Sequence, residues 1–347
     1  MDLFFDQYRT ARGYKESYLL NSLNVLTTKH YYSCQKYKNI IDNLYHSKLL
    51  YNNLEDVPYL PVSLFKEMSL HSIDTDKIFK TMHSSGTTSN QVSSIFLDKF
   101  TALNQSKALV SIVSEFIGPK RLPLILVDSE TSVKDRYEFS ARGAGLLGMK
   151  QFSSDHIYCL DDDMVLDEKK LVGFLSKHKN SPILIFGFTF MVWEYFLQAS
   201  KIDIDLSTSV LFHSGGWKKL QDKQVSNLEF KKVFKEKFNL EKIHNFYGMV
   251  EQVGSIYVEC EEGRLHSPNF SEIIIRDSSN WSVVEDGQKG IIQTLSVLPE
   301  SYPGHSLVTE DLGRILERDD CLCGRLGTTF EILGRVPKIQ IRGCSDV

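Results

Sequence analysis

Three short apolar runs, each leading into an acidic or glycine-containing segment, restrict the possible folds of this chain most strongly. They lie at residues 121–128, 181–187 and 210–217. Apolar runs of this length are typical of strands that are buried on both faces of a parallel sheet. Segments with a helical spacing of apolar residues follow the first two, at residues 141–149 and 188–199. The alternation predicts a largely parallel α/β sheet, in which ligands bind beyond the carboxyl ends of the strands.

The pattern differs on both sides of this region. Residues 1–56 carry apolar residues at spacings of three and four with few breakers, which predicts helices. From about residue 254 the sequence predicts successive β-strands, at residues 255–260, 272–276, 290–295, 313–317 and 328–333. We therefore expect four parts: a helical N-terminal segment (1–80), an α/β core (81–253), a β-rich subdomain (254–333), and a hinge remnant with a tail (334–347).

Composition excludes several classes of protein. The chain of 347 residues is 42% hydrophobic and 24% charged, as is usual for a soluble globular protein. Its net charge of −4, with scattered lysines and arginines, argues against nucleic acid as the main partner. No apolar run is long enough for a membrane span and the N-terminus does not resemble a signal peptide, so we expect a cytoplasmic protein. Six cysteines are too few for a disulfide scaffold and are expected to be thiols or metal ligands.

Four motifs fall at the ends of predicted strands. The loop at 83–91 is rich in serine, threonine and glycine, which suits an anion held by backbone N–H groups, although a turn without function remains the alternative. A P-loop is excluded because the second glycine and the lysine are missing. The second motif, at 213–218, contains paired glycines. The third, at 245–251, combines an aromatic ring, a glycine and a carboxylate, and the fourth pairs an acid at 309–313 with a cation at 334–335.

In this order the motifs resemble those of the adenylate-forming superfamily of acyl-CoA synthetases, [ST]-[SG]-G-T-T-G-x-P-K, Y-G-x-T-E, T-G-D and a hinge G-R. Within it the chain is most similar to the acyl-protein synthetases of bacterial luminescence fatty-acid reductase complexes, and next to phenylacetate–CoA ligases. The similarity extends over nearly all of the chain. It implies the large N-terminal domain of an adenylate-forming enzyme, with mostly parallel sheets and a β-rich C-terminal part. The implied reaction joins a carboxylate to ATP, giving an acyl-adenylate and pyrophosphate.

The resemblance also assigns roles to single residues. The loop residues that would hold the ATP phosphates are Ser84, Ser85, Gly86, Thr87 and Thr88. Gly215 and Gly216 would border the adenine, Tyr247 would stack on it, and Gly248 would let the cofactor approach the backbone closely. Glu251 would hold Mg²⁺, and Asp311 and Arg335 would bind the ribose. Two departures from the family pattern remove a cation and a hydroxyl from the phosphate side, because Gln91 replaces a lysine and Val250 replaces a threonine.

The C-terminus departs further from most of the superfamily. The sequence given ends twelve positions after Arg335 (347 − 335 = 12), so we expect the usual lid domain to be absent, and Lys338 is the nearest substitute for its lysine. The short tail resembles that of acyl-protein synthetases, in which a cysteine receives the acyl group as a thioester. The resemblance gives this role to Cys344, whose thiolate Arg342 would favour. An exposed, inert cysteine is the alternative.

Cys260, His266, Cys321 and Cys323 form a separate group in the β-rich part. Three sulfurs and one imidazole make a complete tetrahedral set for structural Zn²⁺, although buried free thiols remain the alternative. Residues 141–148 and 188–193 could line an acyl channel or belong to the core.

Three functions therefore stay open. The first is an enzyme that uses ATP and Mg²⁺ to load Cys344 with a carboxylic acid for an acyl-CoA reductase-like partner or an acyltransferase. The resemblance implies that this acid is a fatty acid. The second is a ligase that uses free coenzyme A. The third is a non-catalytic scaffold of the same fold.

Overall fold

A computed structural model of the protein describes residues 4–84, 92–133, 139–217 and 224–336. Several residues with expected roles lie outside these ranges, namely Ser85, Gly86, Thr87, Thr88, Lys338 and Cys344. Their assignments stay predictions.

The helices of the described ranges mostly follow the apolar periodicity of the sequence. They are α1 (Arg12–Ser33), α2 (Gln35–Leu44), α3 (Leu64–Glu67), α4 (Lys99–Ile117), α5 (Ala141–Lys150), α6 (Glu168–Lys177), α7 (Thr189–Met191), which continues as a π-helix (Val192–Gln198), and α8 (Asn227–Phe238). Side chains fix several N-termini: Asp98, for example, accepts a hydrogen bond from the Thr101 N–H at 2.7 Å and so caps α4. None of these helices is long and apolar enough to cross a bilayer.

Most strands belong to one large sheet. In chain order the strands are β1 (Leu60–Pro61), β2 (Lys80–His83), β3 (Ser94–Leu97), β4 (Leu122–Leu126), β5 (Phe139–Ser140), β6 (Ser153–Tyr158), β7 (Leu184–Phe188), β8 (Val210–Ser214), β9 (Lys242–Tyr247), β10 (Tyr257–Glu259), β11 (Leu265–His266), β12 (Ser271–Arg276), β13 (Gly290–Ser296), β14 (Ser306–Arg318) and β15 (Thr328–Arg335). The large sheet has the order β12-β13-β14-β15-β11-β10-β9-β8-β7-β4-β6, with β1 beside β14, and a small sheet has the order β3-β2-β5.

The predicted fold class is confirmed. Strands β6, β4, β7, β8 and β9 are parallel. Along the sheet order from β9 to β12 successive neighbours are antiparallel, whereas β1 pairs with β14 in parallel. Because β9 pairs with β10, a single sheet continues across residue 254. The proposed division into four parts remains a prediction.

Two apolar layers cover the two faces of the parallel strands. In β4, Leu124 and Leu126 face the layer that includes α1, α4 and α5, whereas Ile125 faces the layer that includes α6 and α8. This alternation is the two-residue period of a strand with both faces buried. It explains why the sequence of β4 is wholly apolar.

A buried ion pair fastens α1 to the antiparallel strands. Lys15 Nζ lies 3.1 Å from Glu272 Oε2 and donates a hydrogen bond to the Ser267 carbonyl at 3.3 Å. The two side chains are 2% and 3% exposed. Burial alone would raise the pKa of Glu272, but the Lys15 ammonium and the Ile273 N–H outweigh it, so this pKa lies below its usual value.

Candidate functional site

The carboxyl ends of β8 and β9 bring two of the predicted motifs side by side. Ser214 pairs with Phe246 across these strands, and its hydroxyl donates a hydrogen bond to the Phe246 carbonyl at 2.9 Å. Gly215 follows with a φ of +81°, and a Cβ there would lie 3.3 Å from Phe188 Cδ1. Glycine is favoured here because other residues rarely adopt this conformation. The backbone can therefore turn closely over the end of β7.

Three predicted residues from three strands meet next to this turn. Tyr247 Oη donates a hydrogen bond to Asp311 Oδ2 at 2.7 Å, and Arg335 Nε lies 3.4 Å from Asp311 Oδ1. Asp311 and Arg335 are direct partners in the β14–β15 register. Thr309 steadies the carboxylate segment, since its hydroxyl accepts the Asp311 N–H at 3.1 Å and donates to the Ile292 carbonyl at 2.9 Å. This role of Thr309 was not predicted, although the T-x-D spacing was its signal.

The Tyr247 hydroxyl remains a hydrogen-bond donor at neutral pH. Burial, and then the neighbouring Asp311 carboxylate, raise the pKa of Tyr247 well above its usual value. Its ring packs near Tyr257 and Phe330, with centroid distances of 6.1 and 6.3 Å. A carboxylate has about four acceptor positions, so Asp311 can still accept hydrogen bonds from the hydroxyl groups of a ligand.

Glu251 lies in a short 3₁₀ turn (Val250–Gln252) and is only 6% exposed. Its carboxylate forms no hydrogen bond or ion pair with any other residue in the described ranges. A carboxylate at a largely buried position can supply oxygen ligands to a hard cation such as Mg²⁺. Beside it, a Cβ at Gly248 would lie 3.1 Å from Ile256 Cγ2, so the backbone there packs tightly.

The base of the predicted phosphate loop is near this turn. His83 and Ser94 are partners in the antiparallel β2–β3 pair. The Ser84 N–H donates to the Ser93 carbonyl at 3.1 Å, and the Ser93 N–H donates to Ser84 Oγ at 2.9 Å. Strand β3 contacts the turn that carries Glu251. The β2–β3 pair therefore holds Ser84 at the start of the loop, and β3 also contacts the turn that carries Glu251.

Four cysteine and histidine side chains form a separate cluster, as their sequence pattern suggested. The ligand atoms of Cys260, His266, Cys321 and Cys323 all lie within 4.8 Å of one another. Cys260 Sγ is 3.8 Å from Cys321 Sγ, and Cys323 Sγ is 3.4 Å from His266 Nε2. They come from the end of β10, from β11 and from the β14–β15 connection. This group can hold a metal ion.

Two turns of the same kind present the sulfurs. The N–H of Gly263 donates to the Cys260 carbonyl at 3.0 Å, and that of Gly324 donates to the Cys321 carbonyl at 2.9 Å. Both glycines have positive φ angles, +75° and +79°. Burial raises the pKa of Cys260 to about 12 and lowers that of His266 to about 4. Metal binding would therefore have to release thiol protons, as thiolate coordination does.

Known proteins resemble this chain over most of its length. The family model "Acyl-protein synthetase, LuxE" matches residues 1–347. The long-chain-fatty-acid–luciferin-component ligase of Aliivibrio fischeri is 24% identical over 329 residues, 91% of this chain and 84% of that protein. Its counterpart from Vibrio harveyi is 22% identical over 326 residues, 91% and 83% of the two chains.

Solved structures resemble the fold. An open conformation of 2-hydroxyisobutyryl-CoA ligase superposes with a TM-score of 0.71 at 16% identity, covering 93% of this chain and 70% of that one. ATP-bound MatB from Rhodopseudomonas palustris gives 0.52 at 14% identity, covering 76% and 49%. The predicted adenylate-forming fold is confirmed. Because the family model matches every residue, the chain belongs to the LuxE family of acyl-protein synthetases.

Proposed function

We propose that this protein is an ATP-dependent ligase that activates a long-chain fatty acid as an acyl-adenylate and then transfers the acyl group to its own Cys344. The observation that carries the proposal is the meeting of Tyr247, Asp311 and Arg335, with the largely buried Glu251 four residues after Tyr247 in the chain. The names of the two curated relatives support a long-chain fatty acid as the substrate. Adenine lies over Gly215 and Tyr247, and Asp311 accepts the ribose hydroxyls.

The reaction has two steps. The fatty-acid carboxylate attacks the α-phosphorus of ATP, and the bond to pyrophosphate breaks as the acyl-adenylate forms. The Cys344 thiolate then attacks the acyl carbon, AMP leaves, and a thioester remains. Glu251 would hold Mg²⁺, which would supply positive charge that offsets the phosphate charge. Ser84 and the loop that follows it donate hydrogen bonds to the phosphates.

The length of chain between Val336 and Cys344 is sufficient for Cys344 to reach this site. The Val336 N–H donates to the Glu310 carbonyl at 2.9 Å, and the preceding Arg335 pairs with Asp311. Cys344 is eight residues further along (344 − 336 = 8). At about 3.4 Å per residue, eight residues extend to at most roughly 27 Å. An adenylate bound at Asp311 is well within that reach.

The thioester requires an acceptor protein. Hydride transfer to the thioester gives an aldehyde and releases the Cys344 thiolate. Attack by another nucleophile transfers the acyl group to it and releases the same thiolate. The partner is therefore an acyl-CoA reductase-like protein or an acyltransferase. The luciferin-component wording in the names of the curated relatives supports the reductase.

Pyrophosphate release with ATP, Mg²⁺ and fatty acids of graded chain length tests the activation step. Asp311→Asn is expected to lower kcat/KM for ATP about 10- to 100-fold, because hydrogen bonds to a charged group are worth about 1.5–3 kcal/mol. Asp286→Asn is the matched control, since Asp286 pairs with Arg318 on the exposed surface. If no acid leads to pyrophosphate release, both enzymatic functions are excluded and the non-catalytic scaffold remains.

The cysteine cluster is proposed to hold structural Zn²⁺. Three thiols and one imidazole fit a closed tetrahedral site, which joins two connections and has no open position for chemistry. Protein purified without chelator is expected to contain about one zinc per chain, and Cys260→Ser to contain far less, by elemental analysis. Cys159→Ser, which changes a buried thiol outside the cluster, serves as the control. A zinc content below about half an equivalent in the wild type would contradict the site.

A further inference from the structure

Gln252, the residue after Glu251, is buried to 1% exposure and is bonded to two other segments. Its Nε2 donates to the Gly304 carbonyl at 3.0 Å and to the Thr294 carbonyl at 3.3 Å. Thr294 lies in β13, and Gly304 lies in the connection from β13 to β14. One amide group thus fastens the Glu251 turn to two neighbouring parts of the antiparallel sheet.

The turn also fits closely against that connection. A Cβ at Gly304 would lie 2.8 Å from the Glu251 carbonyl oxygen and 2.2 Å from Tyr302 Cε2. Tyr302 is fully buried and packs edge-on against Phe65 at a centroid distance of 6.1 Å. Ser255 Oγ donates to Ser296 Oγ at 2.7 Å. We call this surface, formed by Thr294, Ser296, Tyr302 and Gly304, the turn socket.

The turn itself is too short to define the position of Glu251. It spans three residues, and its backbone bond from the Gln252 N–H to the Met249 carbonyl is 3.2 Å long. Single 3₁₀ turns have poor hydrogen-bond geometry and little stability of their own. The position of the carboxylate therefore depends on the socket, and on Gln252 above all.

We propose that Gln252 is a positioning residue that holds the Glu251 carboxylate in place for a divalent cation. The inference rests on the proposed function, in which Glu251 binds Mg²⁺. Without the amide N–H₂, two buried carbonyls lose a donor and the turn is free to shift. A small displacement weakens Mg²⁺ binding because this ion demands nearly ideal octahedral geometry.

The test compares Gln252→Met with Gln293→Met. Methionine keeps the length of the side chain but has no donor. Gln293 is equally buried in β13 and bonds to Arg276 and Ser306, so its replacement removes a buried amide without touching the turn socket. We expect Gln252→Met to raise the Mg²⁺ concentration for half-maximal pyrophosphate release at least about tenfold, with KM for the fatty acid within twofold of the wild type. Gln293→Met should lower thermal stability but leave the Mg²⁺ requirement unchanged.

A second variant and a binding measurement test the inference independently. Gly304→Ala keeps the Gln252 side chain but presses on the Glu251 backbone and on Tyr302, and should shift the Mg²⁺ requirement in the same direction. Binding of Mn²⁺ with ATP, followed by electron paramagnetic resonance, needs no turnover and should weaken in both variants. If Gln252→Met and Gly304→Ala bind Mn²⁺ like the wild type, the inference is wrong. If Mn²⁺ binding weakens in them but the wild type releases no pyrophosphate, the positioning role stands and the proposed reaction fails.

Discussion

Replacement of Cys344 by alanine is expected to abolish the covalent acyl-enzyme and to leave pyrophosphate release largely intact. In the proposed reaction Asp311 and Glu251 take part in activation, whereas the thiol takes part only in the second step. Incubation with ATP, Mg²⁺ and a radiolabelled fatty acid should give a hydroxylamine-sensitive label on the wild-type chain. The same label should be absent from the Cys344→Ala variant.

A buried thiol provides the control for this experiment. Cys159 is fully buried, and burial raises its pKa to about 12, so it remains a protonated, inaccessible thiol. Cys159→Ala should keep the label. Label that persists in Cys344→Ala would disprove the assigned acceptor. A thioester that forms only with added coenzyme A would identify the protein as an acyl-CoA ligase instead.

Replacement of Lys15 by methionine is expected to lower the free energy of unfolding by about 3–5 kcal/mol at pH 7. Removal of one partner leaves the Glu272 carboxylate buried without a counter-ion, which is the costly way to break a buried pair. Chemical denaturation measures the loss. Lys29→Met is the matched control, because the Lys29–Glu300 pair is about one-third exposed and should contribute at most about 1 kcal/mol.

The effect of pH on this variant follows from the sign of the pKa shift. In the wild type the pKa of Glu272 is lowered by folding, so the stabilisation is present at neutral pH and is lost as the pH falls below the usual carboxyl range. In Lys15→Met the lone carboxyl group favours protonation, so its penalty shrinks as the pH falls. The stability difference between the two proteins should therefore narrow from pH 7 to pH 4. A constant difference would contradict this explanation, and Lys15→Met combined with Glu272→Leu should recover most of the loss.

The parallel part of the fold could be predicted because its central strands are buried on both faces and are therefore apolar. Two of the five parallel strands, β6 and β9, were missed. Strand β6 is an edge strand with partly exposed residues such as Asp155. Strand β9 contains a buried histidine, His244, whose Nδ1 contacts the Glu259 carbonyl at 2.8 Å. A polar residue satisfied by a distant backbone atom gives no apolar signal in its own segment.

The contacts within the candidate site could not be predicted from the sequence either. Its residue types follow from motifs, but the bond between Tyr247 and Asp311 joins positions 64 residues apart. Lys15 and Glu272 are separated by 257 residues (272 − 15 = 257) and carry no local signal at all. Gln252 resembles any surface glutamine in the sequence. Its importance appears only when the turn socket is folded around it.

The β14–β15 hairpin places the cysteine–histidine cluster and the candidate site towards opposite ends of one ribbon. Asp311 faces Arg335 at one end, and the cysteine turn that begins at Cys321 closes the other. Successive side chains of a strand point to opposite faces, so a slip of one residue would turn Arg335 away from Asp311. A turn in which Cys321 and Cys323 bind one ion cannot gain or lose a residue between them without displacing one of the two sulfurs. If the cluster holds the proposed ion, the cysteine turn would fix one end of the ribbon. Two register shifts, between Leu312 and Gly313 and between Ile315 and Glu317, lie between that end and Asp311 and complete the alignment with Arg335. The bound ion would thus help to align a pair of residues that it never touches.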